Sequence, residues 1–353
     1  MYLTKQLIMK DESSILIKKV LNQVILFGGL MVIVGSVTLL YCFGVFSEDS
    51  MSIHEVTLDP IATQYDITLL DNSKANEAIK YGHKLFVQTP KYIGPDNGDS
   101  NQAYSGNRLA CNNCHLQSGT KPYSAPLIGI INRFPQYRGR ENKIGSIEER
   151  INGCMERSLN GRMMPPDSKE MKAIVAYLTW LSRFSPEDGK VKGQGFLKIE
   201  IPNRAVNLKK GQQIFESNCI ACHGKNGQGV KASDSYTYHY PPLWGNDSYN
   251  NGAGMTRVIT SAKFIKANMP YGTTYEAPVL TDEEAYDVAG YINQQKRPSK
   301  PNSEYDFPDL IKKPVSTPYP PYADSFSVEQ HQLGPFQPIM AFYKQEYNMI
   351  KTK

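Results

Sequence analysis

The sequence has little net charge and lacks any dense block of basic residues. Its 39 lysines and arginines are nearly balanced by 34 acidic residues, which leaves a net charge of +5 over 353 residues. Nucleic-acid binding needs concentrated positive charge, so nucleic acid is excluded as the main partner, whereas small anions or an acidic protein suit this chain. Charged residues make up 21% and apolar residues 40% of the chain. These fractions exclude a disordered protein and a membrane protein with many spans.

One long hydrophobic run lies near the N-terminus. Residues 24–46 carry no charge, and at about 1.5 Å per residue they reach roughly 34 Å, enough to cross a bilayer. The basic residues before this run are Lys5, Lys10, Lys18 and Lys19. Because positive residues stay on the cytoplasmic side, we predict residues 1–23 in the cytoplasm and the rest of the chain in the periplasm or another extracytoplasmic space.

Two interpretations of this run stay open, an uncleaved anchor in the inner membrane and a cleaved signal peptide. The run is longer than the usual signal core of about 7–15 apolar residues, and no small-residue cleavage site follows it. Both features favour the anchor.

The rest of the chain contains an internal repeat. Apolar periodicity predicts helices over residues 76–88 and 167–181, and a second unit repeats the same pattern. Gly211-x-x-Ile214-Phe215 matches Gly82-x-x-Leu85-Phe86, and residues 288–291 match residues 175–177. The predicted segments are a lead-in (47–73), a first domain (74–185), a linker (186–204), a second domain (205–300) and a tail (301–353).

The tail is rich in proline, with eight prolines from Pro301 to Pro338. Such a segment cannot be regular helix or sheet throughout. It is either a disordered end or an extended strap across the domains, and its aromatic residues, from Phe307 to Phe342, favour the strap. The whole pattern predicts an all-α protein with two similar domains, an N-terminal membrane segment and a C-terminal strap.

Each domain contains one C-x-x-C-H motif, which is the attachment pattern of c-type haem. The two motifs are Cys111-Asn112-Asn113-Cys114-His115 and Cys219-Ile220-Ala221-Cys222-His223. Two thiols at this spacing add to the two vinyl groups of one haem, and the following histidine becomes an axial iron ligand. A zinc site needs further nearby ligands, and a redox dithiol does not need the histidine. We therefore predict two covalently bound haems, with His115 and His223 as proximal ligands.

The second axial ligand of the first haem has two candidates. Met164 lies before the last predicted helix of its domain, where small c-type cytochromes keep a methionine ligand, so spacing favours Met164. Cys154 is the competing candidate, because four cysteines belong to the haem motifs and Cys42 lies in the apolar run. Nearby arginines favour its thiolate form.

In the second domain Met269 holds the position equivalent to Met164. Met255, in a glycine-rich turn, and His239, in a tyrosine-rich loop, are weaker alternatives for the second haem.

Several further motifs resemble those of the dihaem thiosulfate dehydrogenases, which are also called tetrathionate reductases. The similarity covers roughly residues 70–345, and the segment around Cys154 is its most specific part. The motifs are residues 133–140 (RFPQYRGR), 150–161 (RINGCMERSLNG), 241–245 (PPLWG), 252–255 (GAGM) and 264–270 (FIKANMP).

The resemblance implies a set of ligands and substrate residues. Cys154, and not Met164, becomes the distal ligand of the first haem, and Met269 that of the second. Arg140, Arg150 and Ser158 are expected to bind substrate near the first haem. Some members have lysine before the methionine and exchange the two ligands, but this chain has Asn268 there, which argues against such an exchange.

The resemblance also implies a reaction. Two thiosulfate ions couple to tetrathionate, or the reverse, at the first haem. The electrons pass to the second haem, whose methionine ligand gives it the higher potential, and then to a partner such as another cytochrome c or a terminal oxidase.

Two other functions compete with this reaction. A non-catalytic, membrane-anchored dihaem electron relay predicts Met164 as the ligand of the first haem. A dihaem peroxidase needs an open iron position and a distal acid–base residue, for which the sequence offers no persuasive candidate.

Overall fold

The computed structural model describes residues 2–42, 64–233 and 236–353, which form two separate units, an N-terminal helix and a body. Positions 43–46 of the predicted membrane span and 47–63 of the predicted lead-in lie outside the described residues.

The N-terminal unit is a single helix, α1 (Tyr2–Cys42). Its stretch Lys18–Leu39 has a mean hydropathy of 2.1, and none of it is buried against the rest of the chain. The helix is therefore long and apolar enough to cross a membrane, as the hydrophobic run predicts. An export signal has the same composition near an N-terminus, so the helix fits either interpretation.

The body is mostly helical. Its helices are α2 (Lys74–Val87), α3 (Thr89–Ile93), α4 (Leu116–Gly119), α5 (Ile147–Arg157), α6 (Lys169–Ser182), α7 (Leu208–Asn218), α8 (Ile220–His223), α9 (Val258–Asn268), α10 (Asp282–Asn293), α11 (Val328–Leu333) and α12 (Gln337–Tyr347). Two small antiparallel hairpins pair β1 (Gln136–Arg138) with β2 (Lys143–Gly145) and β3 (Val230–Lys231) with β4 (Tyr238–Tyr240). The sequence predicts an all-α body and does not predict these two hairpins.

The first hydrophobic core is built around the crossing of α2 and α6. Leu85 and Phe86 on α2 are buried against Ile174 and Tyr177 on α6. The helices cross closely at Gly82, where a Cβ atom would lie 2.0 Å from the carbonyl oxygen of Ala173. Both helices begin within two residues of the predicted positions, and serine side chains cap their first turns.

The second core repeats this arrangement with α7 and α10. A Cβ atom on Gly211 would lie 2.2 Å from the carbonyl oxygen of Asp287 and 2.9 Å from Cβ of Tyr291. Gly82 makes the equivalent approach to Cβ of Tyr177, also at 2.9 Å. The sequence repeat is therefore a structural repeat, in which each glycine lets one helix lie directly on the backbone of its partner.

We expect Gly82→Ala and Gly211→Ala each to destabilise the body. Alanine favours a helix by up to about 1 kcal/mol over glycine, but the added methyl group would overlap a backbone carbonyl, and overpacking costs about 1–3 kcal/mol. The net effect is a lower midpoint in denaturant unfolding of the haem-loaded protein. Gly139→Ala is the control, because the nearest atom to its Cβ would be 3.7 Å away. Equal midpoints for all three variants would contradict the close helix crossing.

The proline-rich tail is an ordered strap. It contains α11 and α12, and its buried residues Val315, Phe336 and Tyr343 complete the second core. Earlier in the tail, the backbone N–H of Phe307 donates to the carbonyl oxygen of Arg140 at 2.8 Å. The tail therefore contacts both halves of the body, as the strap interpretation predicts.

Candidate haem centres and an arginine-lined anion site

The first attachment motif begins on the 3-10 turn Cys111–Asn113. Cys111 packs against the first core, and its backbone N–H donates to Thr89 Oγ1 at 3.3 Å. His115 Nδ1 lies 2.7 Å from the carbonyl oxygen of Ala125. Because a carbonyl only accepts, Nδ1 carries the proton, and Nε2 is the atom left available for iron.

The second attachment motif has the same design. Cys219 follows α7 directly and packs against the second core, and His223 is buried at the end of α8. His223 Nδ1 lies 2.8 Å from the carbonyl oxygen of Pro241, which again leaves Nε2 for iron. Neither carbonyl partner is recognisable from the C-x-x-C-H motif alone.

The attachment cysteines do not suit a redox dithiol. Burial raises the pKa of the Cys111 and Cys114 thiols to about 12, and that of Cys219 to about 11. A redox-active pair needs a thiol of low pKa. Two such thiols beside a histidine with a free Nε2 instead fit the thioether attachment of a c-type haem.

Cys154 lies on α5 and faces the proximal histidine of the first motif. Its Sγ accepts a hydrogen bond from Arg150 Nη1 at 2.8 Å, and His115 is among the groups that lower its pKa. Burial raises the pKa of the Cys154 thiol, but the charge of Arg150, the contact with His115 and the charge of Arg157 together lower it to about 6. Arg150, His115 and Arg157 therefore favour the thiolate form of this side chain.

Met164, the competing ligand, is placed differently. Its side chain is 1% exposed within the first core. The Asn152 side chain binds the backbone of Met164 twice. Asn152 Nδ2 donates to the Met164 carbonyl oxygen at 2.9 Å, and Asn152 Oδ1 accepts from the Met164 N–H at 2.8 Å. Met164 thus packs in the first core, whereas Cys154 lies beside Arg150.

Arg140 is held by the strap. Its Nη1 donates to Asp306 Oδ2 at 2.5 Å and to the Tyr319 hydroxyl at 2.9 Å, and its guanidinium lies over the Phe307 ring at 4.8 Å. Its Nε and Nη2 make no hydrogen bond within the described residues. The side chain is therefore fixed in position with two donor nitrogens to spare.

Two further arginines surround this site. Arg138 and Arg157 share Glu141, at 2.8 Å and 3.4 Å between Nη2 and Oε1. Burial and then the charge of Arg140 lower the pKa of Arg157. Arg150 and Arg157 therefore place positive charge near Cys154, and Arg138 and Arg140 lie near Arg157. Positive charge at such a site favours the binding of a small anion.

A loop from the second half of the body completes the first core. Asn250 Nδ2 donates to the carbonyl oxygen of Glu156 at 2.8 Å, and the Asn250 N–H donates to that of Arg157 at 3.1 Å. Tyr249 is buried in the first core, and Met255 packs against it. Met255 therefore lies with the first core and not with the second, which argues against it as a ligand of the second haem.

Ser158 ends α5 one turn after Cys154. Its carbonyl oxygen accepts from Asn107 Nδ2 at 3.0 Å, and Asn107 Nδ2 also reaches the carbonyl oxygen of Ser248 at 3.0 Å. Within the described residues, the Ser158 hydroxyl has no hydrogen-bond partner, so it remains able to contact a ligand.

At the second haem motif, Met269 directly follows α9 and packs against the second core. The preceding Asn268 is 1% exposed, and its Nδ2 donates to the Phe264 carbonyl at 3.0 Å. Asn268 is therefore tied to its own helix. His239 is exposed on β4, as a surface residue would be.

The sequence pattern missed Asp306 and Tyr319, and it assigned no role to Arg138, Arg157 or Glu141. The two arginines lie inside the quoted motifs, so the clustering of arginines in those motifs is the signal that could have identified them. Asp306 and Tyr319 lie 166 and 179 residues from Arg140, and no local pattern marks such contacts.

Known families match both halves of the body. Residues 208–296 match the cytochrome c family, and residues 100–186 match the family described as "SoxA/TsdA, cytochrome c domain". Together with the two attachment motifs, these matches establish two c-type cytochrome domains that carry two covalently bound haems.

Proteins named thiosulfate dehydrogenase match about two thirds of the chain. A thiosulfate dehydrogenase from Stutzerimonas stutzeri is 40% identical over 225 residues, covering 64% of this chain and 69% of the relative. One from Allochromatium vinosum is 38% identical over 234 residues, covering 65% of this chain and 82% of the relative.

A solved structure is also similar. It is the as-isolated form of thiosulfate dehydrogenase (TsdBA) from Marichromatium purpuratum, with a TM-score of 0.60 and 32% identity, covering 67% of this chain. The chain spans about half, 49%, of that longer protein. The identities, the coverage of the relatives and the paired haem domains agree, and the chain therefore belongs to the dihaem thiosulfate dehydrogenase family of oxidoreductases.

Proposed function

We propose that the protein oxidises two thiosulfate ions to tetrathionate, 2 S₂O₃²⁻ → S₄O₆²⁻ + 2 e⁻, beside Cys154. When bound, the two haems would supply one-electron chemistry between the site and an external acceptor such as another cytochrome c or a terminal oxidase. The observation that carries this proposal is the hydrogen bond from Arg150 to the Cys154 sulfur, whose pKa Arg150, His115 and Arg157 lower.

The arginines overcome the repulsion between the two substrates. Two thiosulfate dianions must bring their sulfur atoms together, although each carries two negative charges. Arg140 and Arg150 can each present a planar fork to sulfonate oxygens. Arg140 keeps Nε and Nη2 for this purpose, and the Ser158 hydroxyl is a further donor one turn beyond Cys154.

Cys154 is the proposed nucleophile. Its thiolate bonds to the sulfane sulfur of the first thiosulfate, and two electrons leave: Cys–S⁻ + S₂O₃²⁻ → Cys–S–S–SO₃⁻ + 2 e⁻. The second thiosulfate then attacks the sulfane sulfur, and the cysteine leaves as the thiolate: Cys–S–S–SO₃⁻ + S₂O₃²⁻ → Cys–S⁻ + S₄O₆²⁻. This is ordinary thiolate exchange at a sulfur–sulfur bond. The same steps in reverse reduce tetrathionate, and the direction depends on the haem potentials and the partner.

The ligand set that fits this chemistry would be His115 and Cys154 at the first haem and His223 and Met269 at the second. Cys154 would have to leave the iron before its sulfur bonds to thiosulfate. We propose that residues 74–185 and 205–300 form the two haem domains, joined by residues 186–204. We further propose that α1 anchors the protein in the inner membrane, with residues 1–23 in the cytoplasm and the body in the periplasm.

The test is electron exchange by the purified, haem-loaded protein. We expect thiosulfate to reduce its haems, with one tetrathionate formed per two electrons, and tetrathionate to reoxidise the reduced protein. Sulfate, which cannot be oxidised, is the control anion. A protein with both haems attached that exchanges electrons in neither direction would overturn the proposal and favour an electron relay with Met164 as the ligand.

A further inference from the structure

We propose that His331 is a positioning residue for Arg140, acting through a proton that it shares with Asp324. This inference rests on the proposed function, in which Arg140 binds thiosulfate. His331 lies on α11 of the strap and closes the Tyr319 loop, which is residues 315–324. The Tyr319 hydroxyl accepts a hydrogen bond from Arg140 Nη1 at 2.9 Å, so this loop supports a proposed substrate residue.

The two ring nitrogens of His331 bind the two ends of the Tyr319 loop. Nδ1 lies 2.7 Å from the carbonyl oxygen of Val315, and Nε2 lies 2.9 Å from Asp324 Oδ1. The side chains of His331 and Asp324 are 1% and 0% exposed, so water does not compete for the bond between them. A single side chain therefore ties both ends of the loop, with Tyr319 near its middle.

The contact between His331 and Asp324 needs one proton more than a neutral histidine and an ionised aspartate supply. Because a carbonyl only accepts, Nδ1 carries a proton toward Val315. A neutral imidazole then has a lone pair on Nε2, which would face a carboxylate oxygen and repel it. The 2.9 Å contact therefore contains a second proton, whether Nε2 or Oδ1 carries it. The closed loop binds this shared proton, and an open loop can release it.

Two tyrosines enclose the pair. The Tyr322 ring stacks on the His331 ring with 3.6 Å between their centres and 14° between their planes. The Tyr343 hydroxyl on α12 donates to Asp324 Oδ2 at 2.7 Å. Burial raises the pKa of both tyrosine hydroxyls, and Asp324 raises it further. Neither tyrosine therefore releases a proton near neutral pH.

Two lysines lie against these tyrosines. Lys313 Nζ lies 5.1 Å from the centre of the Tyr322 ring, and Lys351 Nζ lies 4.3 Å from that of Tyr343. Burial lowers the pKa of each lysine to about 8, although nearby carboxylates oppose this shift. The lysines are therefore the rival groups that titrate in alkaline solution, and the test has to separate them from the shared proton.

Contacts at the middle of the loop reach Arg140. The Tyr319 hydroxyl donates to Asp306 Oδ2 at 2.7 Å while it accepts from Arg140. Lys313 Nζ lies 4.6 Å from the centre of the Tyr319 ring and donates to the Pro321 carbonyl at 2.8 Å. If the loop opened, Tyr319 would be free to move, and Arg140 would lose one of the two groups that hold its Nη1.

Raising the pH should open the loop. Removal of the shared proton leaves a buried carboxylate facing a lone pair, which is a costly arrangement. Because the closed loop binds the proton and the open loop releases it, closure is favoured at low pH and is lost as the pH rises. With Arg140 less well held, KM for thiosulfate should rise about 10-fold, as expected for the loss of one charge-assisted hydrogen bond. The value of kcat should change little, because Cys154 and both haem motifs lie outside the loop.

The test measures KM for thiosulfate in the haem-loaded protein from about pH 6 to about pH 9. Asp324→Asn keeps the loop closed without the shared proton, because the asparagine Nδ2 can donate to a neutral Nε2. Its KM should match wild type at the acidic end and stay level, whereas the KM of wild type rises. His331→Leu removes both ring nitrogens and should show the raised KM at every pH. Glu329→Leu, at an exposed position of α11, is the matched control and should follow wild type.

Hydrogen exchange reports loop opening without substrate. The protection of backbone amides in residues 315–324 should fall in wild type, but not in Asp324→Asn, between about pH 6 and about pH 9, while that of α6 stays equal in both. An alkaline rise in KM that persists in Asp324→Asn would assign the effect to Lys313 or Lys351 and overturn the inference. Loop protection in wild type that stays constant over this range would overturn it without any variant.

Sulfate binding, measured by calorimetry, separates this inference from the proposed function. Sulfate affinity that falls at about pH 9 in wild type, but not in Asp324→Asn, would support the role of His331 even if the protein did not turn over thiosulfate. The lack of turnover would then refute the proposed function alone.

Discussion

Replacing Cys154 by alanine should lower thiosulfate oxidation by a factor on the order of 100 or more while both haems stay attached. The substitution removes the proposed nucleophile but leaves both attachment motifs intact. Turnover and haem content, measured on the same preparation, check this result. Tetrathionate reduction should fall in parallel, because both directions use the same sulfur atom.

Two controls accompany the Cys154→Ala variant. Met163→Leu changes a sulfur-containing side chain that is 59% exposed, and it should leave turnover unchanged. Met164→Leu changes the other candidate ligand, and it should leave the absorption spectrum of the first haem unchanged, because Met164 belongs to the core. In contrast, Cys154→Ala should remove the thiolate signature from that spectrum. If Cys154→Ala kept full activity and Met164→Leu changed the spectrum, the result would favour the rival function of a non-catalytic electron relay.

Local patterns predicted the parts of this fold that depend on local chemistry. The C-x-x-C-H spacing predicted two haem domains, and apolar periodicity placed α2 and α6 to within a few residues. The repeated glycine motif corresponded to a repeated helix crossing, because only glycine allows that close approach. Each of these signals lies within one helix or one turn.

The surroundings of the candidate site depend on contacts between distant segments, which leave no periodic signal. The pairing of Arg140 with Asp306 crosses 166 residues, and the packing of Tyr249 and Met255 into the first core joins the two halves. Spacing alone also chose Met164 over Cys154. A buried methionine in the first core and a methionine ligand have the same sequence pattern, so spacing could not separate them. The assignment of Cys154, Met269 and the substrate residues remains a prediction that the experiments above test.

Asp306→Asn should destabilise the body by about 3 kcal/mol, because it leaves Arg140 without its partly buried partner. Asp306 is 7% exposed, and its carboxylate binds Arg140 at 2.5 Å, the Tyr319 hydroxyl at 2.7 Å and Lys300 at 3.4 Å. Asparagine keeps the size of the side chain, so the change isolates the charge. Denaturant unfolding of the haem-loaded protein measures the loss. Tyr319→Phe removes a single hydroxyl and should cost only about 1 kcal/mol.

The pH dependence of this loss identifies its cause. Burial raises the pKa of the Asp306 carboxyl, but the charges of Arg140 and Lys300 and the Tyr319 hydroxyl lower it below its usual value overall. A carboxylate with a lowered pKa stabilises the fold above its unfolded pKa of about 3.9, and this contribution disappears as the pH falls through the folded pKa. The stability difference between wild type and Asp306→Asn should therefore be constant from about pH 5 to 8 and shrink below about pH 4. A difference that persists in acid would mean that asparagine disturbs the strap by packing and not by charge.

The same variant tests whether Arg140 faces substrate. Asp306 is the anion that holds Arg140 in the absence of thiosulfate, and its charge opposes an incoming dianion. Removing that charge should lower KM for thiosulfate even though the fold becomes less stable. If the salt bridge between Arg140 and Asp306 is only structural, Asp306→Asn would instead lose stability with KM unchanged. A fall in both stability and KM would therefore support substrate binding by Arg140, whereas a fall in stability alone would give Arg140 a structural role.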